Sequence, residues 1–164
     1  MAWKLAKGKT WNERLEQPHP NHGKLIALPP AARKRLGVSS LLIPKPLDVD
    51  ALIRKVRKGK LVIVSRIRDR LAADAGADQS CPMTTGIFIR IAAEAAEEAR
   101  RAGRKRITPY WRTIKQDGSL NEKYPGGAKA QAAKLRQEGF KFQQLGKGTK
   151  PPRVVDFEQH LVDL

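Results

Sequence analysis

The chain is 164 residues long and 40% hydrophobic, with 33 Lys and Arg against 16 Asp and Glu, a net charge of +17. That apolar share, spread over Ala, Ile, Leu and Val, argues for one ordinary folded domain and against wholesale disorder. No apolar run approaches the roughly 18 residues of a membrane span, and the opening MAWKLAKGKTWNERLE lacks the apolar stretch of a secretory leader. The single Cys81 excludes an internal disulfide, and three scattered histidines with one thiol do not make a recognisable structural zinc site. A reducing, cytoplasmic setting is expected. The charge is uneven: residues 1–50 carry 9 basic and 4 acidic side chains, residues 51–112 carry 15 and 6, and residues 113–164 carry 9 and 6. A basic surplus that peaks in the most helix-patterned third is the electrostatic footprint of a phosphate-backbone partner. An acidic membrane surface fits less well, because no segment joins a basic face to a broad apolar one.

Residues 1–46 hold six of the eleven prolines and are read as an N-terminal extension that packs on a core rather than folding alone. PAARKRL (30–36) predicts a short helix with Pro30 at its first position and Gly37 at its C-terminal cap. LIALP (25–29) and LLIP (41–44) are apolar pieces able to dock on the main body.

The core, 47–144, opens at DVDALIRKVRK (48–58), a helix with Asp48 as N-cap, Val49, Leu52, Ile53 and Val56 at helical spacing, and Gly59 beyond its end. KLVIV (60–64) predicts a short strand. Ser65 is then expected to cap RIRDRLAADA, which ends at Gly76. After ADQSCP comes a third helix from about Met83 to Arg101, closed by Gly103. Helix, strand, helix, loop and longer helix is the order of a winged helix-turn-helix, mainly α with small β elements, and the third helix takes the recognition position. RKRITPYWRTI (104–114) reads as a basic, proline-broken loop running into a strand. QDGSL (116–120) and KYPGG (123–127) are turn signals. AKAQAAKLRQE (128–138) is a short amphipathic helix before Gly139. In the tail, 145–164, RVVDF is expected to pair as a hairpin with FKFQQ (140–144).

The stretch from about 48 to 140 resembles the C-terminal, DNA-binding domain of the alkylguanine-DNA alkyltransferases. GKLVIVS (59–65) resembles that family's entry into its helix-turn-helix. Pro109-Tyr110-Trp111-Arg112 resembles its Pro-Cys-His-Arg active-site loop. DGSL, KYPGG and KLRQEG (117–139) resemble its pocket loop and the helix ending in Glu-Gly. The resemblance implies an alkyl-accepting cysteine where Tyr110 stands, a histidine base where Trp111 stands, and the glutamate that orients that base at Glu138. A phenol with pKa near 10 beside an indole supplies neither thiolate nor base, so alkyl transfer is not expected. The similarity is therefore to the non-catalytic alkyltransferase-like branch, which binds alkylated guanine and passes it to repair proteins, although neither that branch's usual Trp nor the histidine is kept.

The expected partner is double-stranded DNA, the expected state a monomer, and no cofactor or metal is implied. Met83, at the family's arginine-finger position, is read first as packing at the helix start and second as an apolar wedge between base steps. Thr84, Thr85 and Gly86 offer hydroxyls and bare backbone to a phosphate at the helix start, and Arg90 lies further along. Arg100, Arg101, Arg104, Lys105 and Arg106 exceed what helix-dipole compensation needs, and Arg112 joins them as a DNA contact. Tyr110, Trp111, Tyr124, Gly126 and Gly127 make the expected base pocket, with Tyr110 facing it and Trp111 beneath the loop. Cys81 is read as a buried or capping residue. Two other readings stay open: a nucleoid-associated or regulatory DNA binder without lesion specificity, and an enzyme using Tyr110, Glu138 or Cys81 in a new role. RNA is not separated from DNA by charge alone.

Overall fold

A computed structural model describes residues 4–146, 148 and 150–164. Six helices, α1 (Trp11–Glu16), α2 (Pro30–Leu36), α3 (Pro46–Arg54), α4 (Val64–Ala75), α5 (Pro82–Arg101) and α6 (Gly127–Gln137), carry most of the regular structure of these residues. Seven strands of two or three residues join them: β1 (Leu25–Ala27), β2 (Ser40–Leu42), β3 (Val62–Ile63), β4 (Gln79–Ser80), β5 (Thr113–Ile114), β6 (Phe142–Gln143) and β7 (Arg153–Val154). The chain is mainly α with small β elements, and α3, β3, α4 and α5 follow one another in the expected order.

Proline and glycine set several helix limits. Pro30 opens α2, and Gly37 closes it in the left-handed conformation, as its sequence predicts. Gly76 closes α4 in the same way. Two expected caps differ. Asp48 is not the N-cap of α3 but lies in its first turn, because Pro46 starts the helix two residues earlier with Lys45 as N-cap. Ser65 does not cap α4: β3 passes straight into the helix, so Ile63 is the N-cap and makes no side-chain capping bond.

α5 is the axis of the molecule. Along its 20 residues Thr85, Phe88, Ile89, Ile91, Ala92, Ala93, Ala95, Ala96 and Glu97 are buried. The four alanines are small enough to let α1 and α3 pack closely against it. One apolar cluster gathers Val49, Leu52, Ile53, Ile67, Leu71, Phe88 and Ile91 from α3, α4 and α5. A second gathers Leu61, Ile63, Ile114, Leu120, Leu135, Phe140, Val154 and Phe157 around α6. Trp111 packs against both.

The pairings are long-range. β1 and β2 run antiparallel around α2, with Leu25 opposite Leu42. β2 then pairs in parallel with β4, Leu41 opposite Gln79, and Cys81 N donates to Leu42 O at 2.8 Å. That pairing brings the N-terminal segment beside the start of α5. β3 pairs in parallel with β5, which fixes the PYWR loop beside α3. The expected terminal hairpin is present, with Phe142 opposite Val154; its connection, 144–152, includes Lys147 and Thr149, which lie outside the described residues.

Candidate nucleic-acid interface

The PYWR loop is held from within. Tyr110 and Tyr124 are only 1% and 3% exposed. Their rings meet edge to face at 5.3 Å, and Tyr110 meets Trp111 in the same way at 5.4 Å. The Tyr110 hydroxyl donates to Glu97 Oε1 at 2.8 Å, and the Tyr124 hydroxyl donates to Thr113 O at 3.0 Å. Burial pushes both phenols above their ordinary pKa, and for Tyr110 the Glu97 carboxylate adds to the rise. The aromatic set read as a base pocket is thus a closed cluster, and the roles of two members are reversed. Tyr110 fills the core, whereas Trp111 is half-buried, with Lys134 Nζ 4.9 Å from its ring centre. Gly126 and Gly127, at φ 76° and 73°, turn the chain into α6. A Cβ on Gly126 would come within 2.6 Å of the Ala130 Cβ.

Two carboxylates anchor this loop. Glu97 takes hydrogen bonds from Tyr110 and from Arg100 Nε at 2.6 Å, and pairs with Lys134 Nζ at 3.2 Å. Burial alone would raise its pKa, but these donors outweigh it and hold the carboxyl below its ordinary value. Glu138, whose side chain is 6% exposed, accepts from Trp111 Nε1 at 2.7 Å and from Arg112 Nε at 2.8 Å. Arg112 also donates through Nη1 to Val56 O at 2.6 Å. Arg112 therefore faces inward, tying the loop to the end of α3, and is not free to meet a phosphate as its sequence position suggests.

The other expected contacts separate along α5. At its start, Met83 is 75% exposed, which overturns the reading of it as packing. Thr85 is buried, and its hydroxyl is spent on Cys81 O at 2.7 Å and Ser80 Oγ at 2.9 Å. The hydroxyl of Thr84 donates to Cys81 Sγ at 3.1 Å; Cys81 stands at the N-cap position, but its side chain makes no capping bond to the helix backbone. Gly86 is exposed, and a Cβ there would meet nothing within 4 Å. At the far end, Arg101, Arg104, Lys105 and Arg106 are exposed, while Arg100 is engaged by Glu97. Eighteen residues of helix put Arg101 roughly 27 Å from Met83. The structure thus brings Met83, Gly86 and Arg90 together and leaves the basic run as a separate patch.

An open cavity of about 410 Å³ adjoins that first group. Pro82, Met83, Gly86, Ile87, Arg90 and Ile91 form one side of it. Lys115, Asn121, Glu122 and Lys123 form another, and Trp11 completes it. Lys115 Nζ is 2.7 Å from Glu122 Oε2, and Asn121 Oδ1 accepts from Lys123 N at 3.0 Å. Arg90 lies 3.9 Å from Glu94, and its Nε is buried without a hydrogen-bond partner among the described residues. Burial raises the Glu94 pKa, which the charge of Arg90 opposes. Sequence reasoning missed Trp11, Lys115, Asn121, Glu122 and Lys123. Asn121 and Glu122 directly precede the KYPGG turn and Lys123 opens it, so these three were within reach; Trp11 had no local signal linking it to α5.

No family model matches the chain, and no curated protein matches it in sequence. Among solved structures, it is similar to S. pombe Atl1 in complex with damaged DNA containing O6-carboxymethylguanine. That match has 15% identity and a TM-score of 0.46, and covers 71% of this chain and 93% of that one. S. pombe ATL in complex with DNA is similar at 14% identity over the same shares, with a TM-score of 0.45.

Proposed function

We propose that the chain is a non-enzymatic DNA-binding protein of the alkyltransferase-like kind, which holds an altered guanine extruded from the duplex without taking its alkyl group. The observation that carries this reading is the open half of α5. There an exposed apolar side chain, a helical glycine with free space above it, and the cations Arg90, Lys115 and Lys123 surround one cavity. Such a surface suits a wedge into base steps, a close backbone approach and phosphate neutralisation. Met83 enters the duplex, and the cavity beside it receives the base. The bond from Trp111 to Glu138 supports the alignment with the family, because the indole N–H meets the carboxylate where the resemblance puts a histidine. It also speaks against transfer chemistry, because an indole N–H cannot take a proton; the Tyr110 phenol, whose pKa burial raises, stays protonated and is a poor nucleophile.

A second reading, a nucleoid-associated or regulatory binder without lesion specificity, is favoured by one observation. The aromatic cluster at the acceptor position is closed and leaves no room for an alkylated base there. Competition among equal lengths of plain duplex, alkylguanine duplex and RNA decides. Preference for the alkylguanine duplex, with no added mass on the protein afterwards, supports the lesion reading. Equal affinity for both duplexes selects the second, tighter binding of RNA contradicts both, and a gain of one methyl overturns the non-enzymatic reading. If about five phosphates are neutralised, log K falls with log salt at a slope of about −4 to −5. Reversing Arg104, Lys105 and Arg106 to Glu is expected to weaken every duplex alike and flatten that slope.

A further inference from the structure

The helix that brings Trp11 to the cavity is small. α1 has six residues; Leu15 is its one buried side chain, and Trp11 packs half-buried against the main core, a small apolar contact that a polar clamp reinforces. Glu98 of α5 provides that clamp. Its Oε2 accepts from Trp11 N at 2.8 Å, and its Oε1 accepts from Asn12 N at 3.1 Å and Asn12 Nδ2 at 2.7 Å. Asn12 Nδ2 also donates to Ala95 O at 3.1 Å. A carboxylate meeting the first free N–H groups of a helix is a favourable clamp. Burial would raise the Glu98 carboxyl, but the bonds from Asn12 and Trp11 outweigh it and lower its pKa. Thr10 and Glu13 close a capping box on the same turn.

Glu98 shares a face of α5 with Ile91 and Ile87, which lie two and three turns nearer the open end. The clamp therefore delivers Trp11 to the wall of the cavity that Ile87, Arg90 and Ile91 build. That wall is apolar apart from Arg90, whose side chain is 24% exposed and whose ion pair with Glu94 is long, at 3.9 Å. A guanidinium held by so long a contact keeps N–H donors to offer, and a planar ring carrying carbonyl or ring-nitrogen acceptors can take them. The volume falls within the roughly 300–1,000 Å³ of small-ligand pockets.

We infer that Trp11 is the residue on which an extruded nucleobase stacks, with Arg90 as its polar partner, so that the N-terminal segment completes the binding site. This rests on the DNA-binding reading above. It moves the stacking role from the closed Tyr110 cluster to an indole supplied by a different part of the chain.

The test uses the full chain and two duplexes, one fully paired and one with a single mispaired base that extrudes easily. Wild type is expected to prefer the mispaired duplex, Trp11→Ala to lose about tenfold of that preference, and Trp11→Phe to keep it. Affinity for the paired duplex should change less than twofold in both variants. Because Trp11→Ala also loosens α1, 19F NMR of 5-fluorotryptophan-labelled wild type gives a second measurement, with the Trp11 signal assigned from Trp11→Phe. The expected result is a shift of that signal with the mispaired duplex and none with the paired one. A preference that survives in Trp11→Ala, or a Trp11 signal that stays still while the mispaired duplex binds preferentially, overturns this inference alone. Absence of any preference in wild type overturns the base-extruding reading and this inference with it.

Discussion

The Tyr110 hydroxyl and the Glu97 carboxylate are committed to each other inside the fold, so substitutions there report on stability before function. Tyr110→Phe removes a hydrogen bond to a charged acceptor and should cost about 1.5–3 kcal/mol in urea unfolding. Tyr110→Ala also empties core volume and should cost about 3–5 kcal/mol. Near-neutral effects would mean that the ring is not buried as described. Glu97 also gives a pH dependence of definite sign. Its folded pKa lies below the ordinary 4.5, so its contribution to stability is complete above that value and is lost as pH falls through the folded pKa. Glu97→Gln should flatten the acid limb of the stability profile, and an unchanged limb would contradict the assignment. At this scale the sequence was partly legible. The resemblance singled out Glu138 and Trp111, and they meet at 2.7 Å. It misjudged which aromatic ring turns inward, because the partner that draws Tyr110 into the core is Glu97 on α5, a carboxylate that no local pattern distinguishes from its neighbours Glu94 and Glu98.

α5 holds the tension between folding and binding at the level of an element. Glycine inside a helix is about 1 kcal/mol less favourable than alanine, and nothing in the fold requires Gly86, since a Cβ there meets open space. Gly86→Ala should therefore raise stability by about 0.5–1 kcal/mol in thermal or urea unfolding. If DNA approaches the backbone here, the same change should weaken DNA binding. A variant that gains stability with unaltered DNA affinity would show that the glycine has no part in the interface. The helices were legible where termini carried chemical signals: Pro30 with Gly37, Gly76, and the apolar spacing of α5. The starts of α3 and α4 were not, because a proline and a strand running straight into a helix replaced the expected Asp48 and Ser65 caps. Strands of two or three residues show no periodicity, so the parallel pairings of β2 with β4 and β3 with β5 could not be read in advance.

For the whole molecule, the basic surplus was visible from composition, but its distribution over the surface was not. One long helix separates the exposed run at Arg101–Arg106 from the cavity by most of its length, while distant segments converge on that cavity. Trp11 and Lys123 lie more than a hundred residues apart and line it together, and only tertiary structure could reveal that. In the binding mode proposed, duplex DNA meets the molecule at the start of α5, which photo-crosslinking can establish. Benzoylphenylalanine is placed at Met83 in one protein and, as a control, at the exposed Val155 in another, and each is irradiated with bound duplex. The expected result is efficient crosslinking to DNA from position 83 and little from position 155. Binding that is retained with no crosslink from position 83, or with equal crosslinking from both, would place the duplex elsewhere on the molecule.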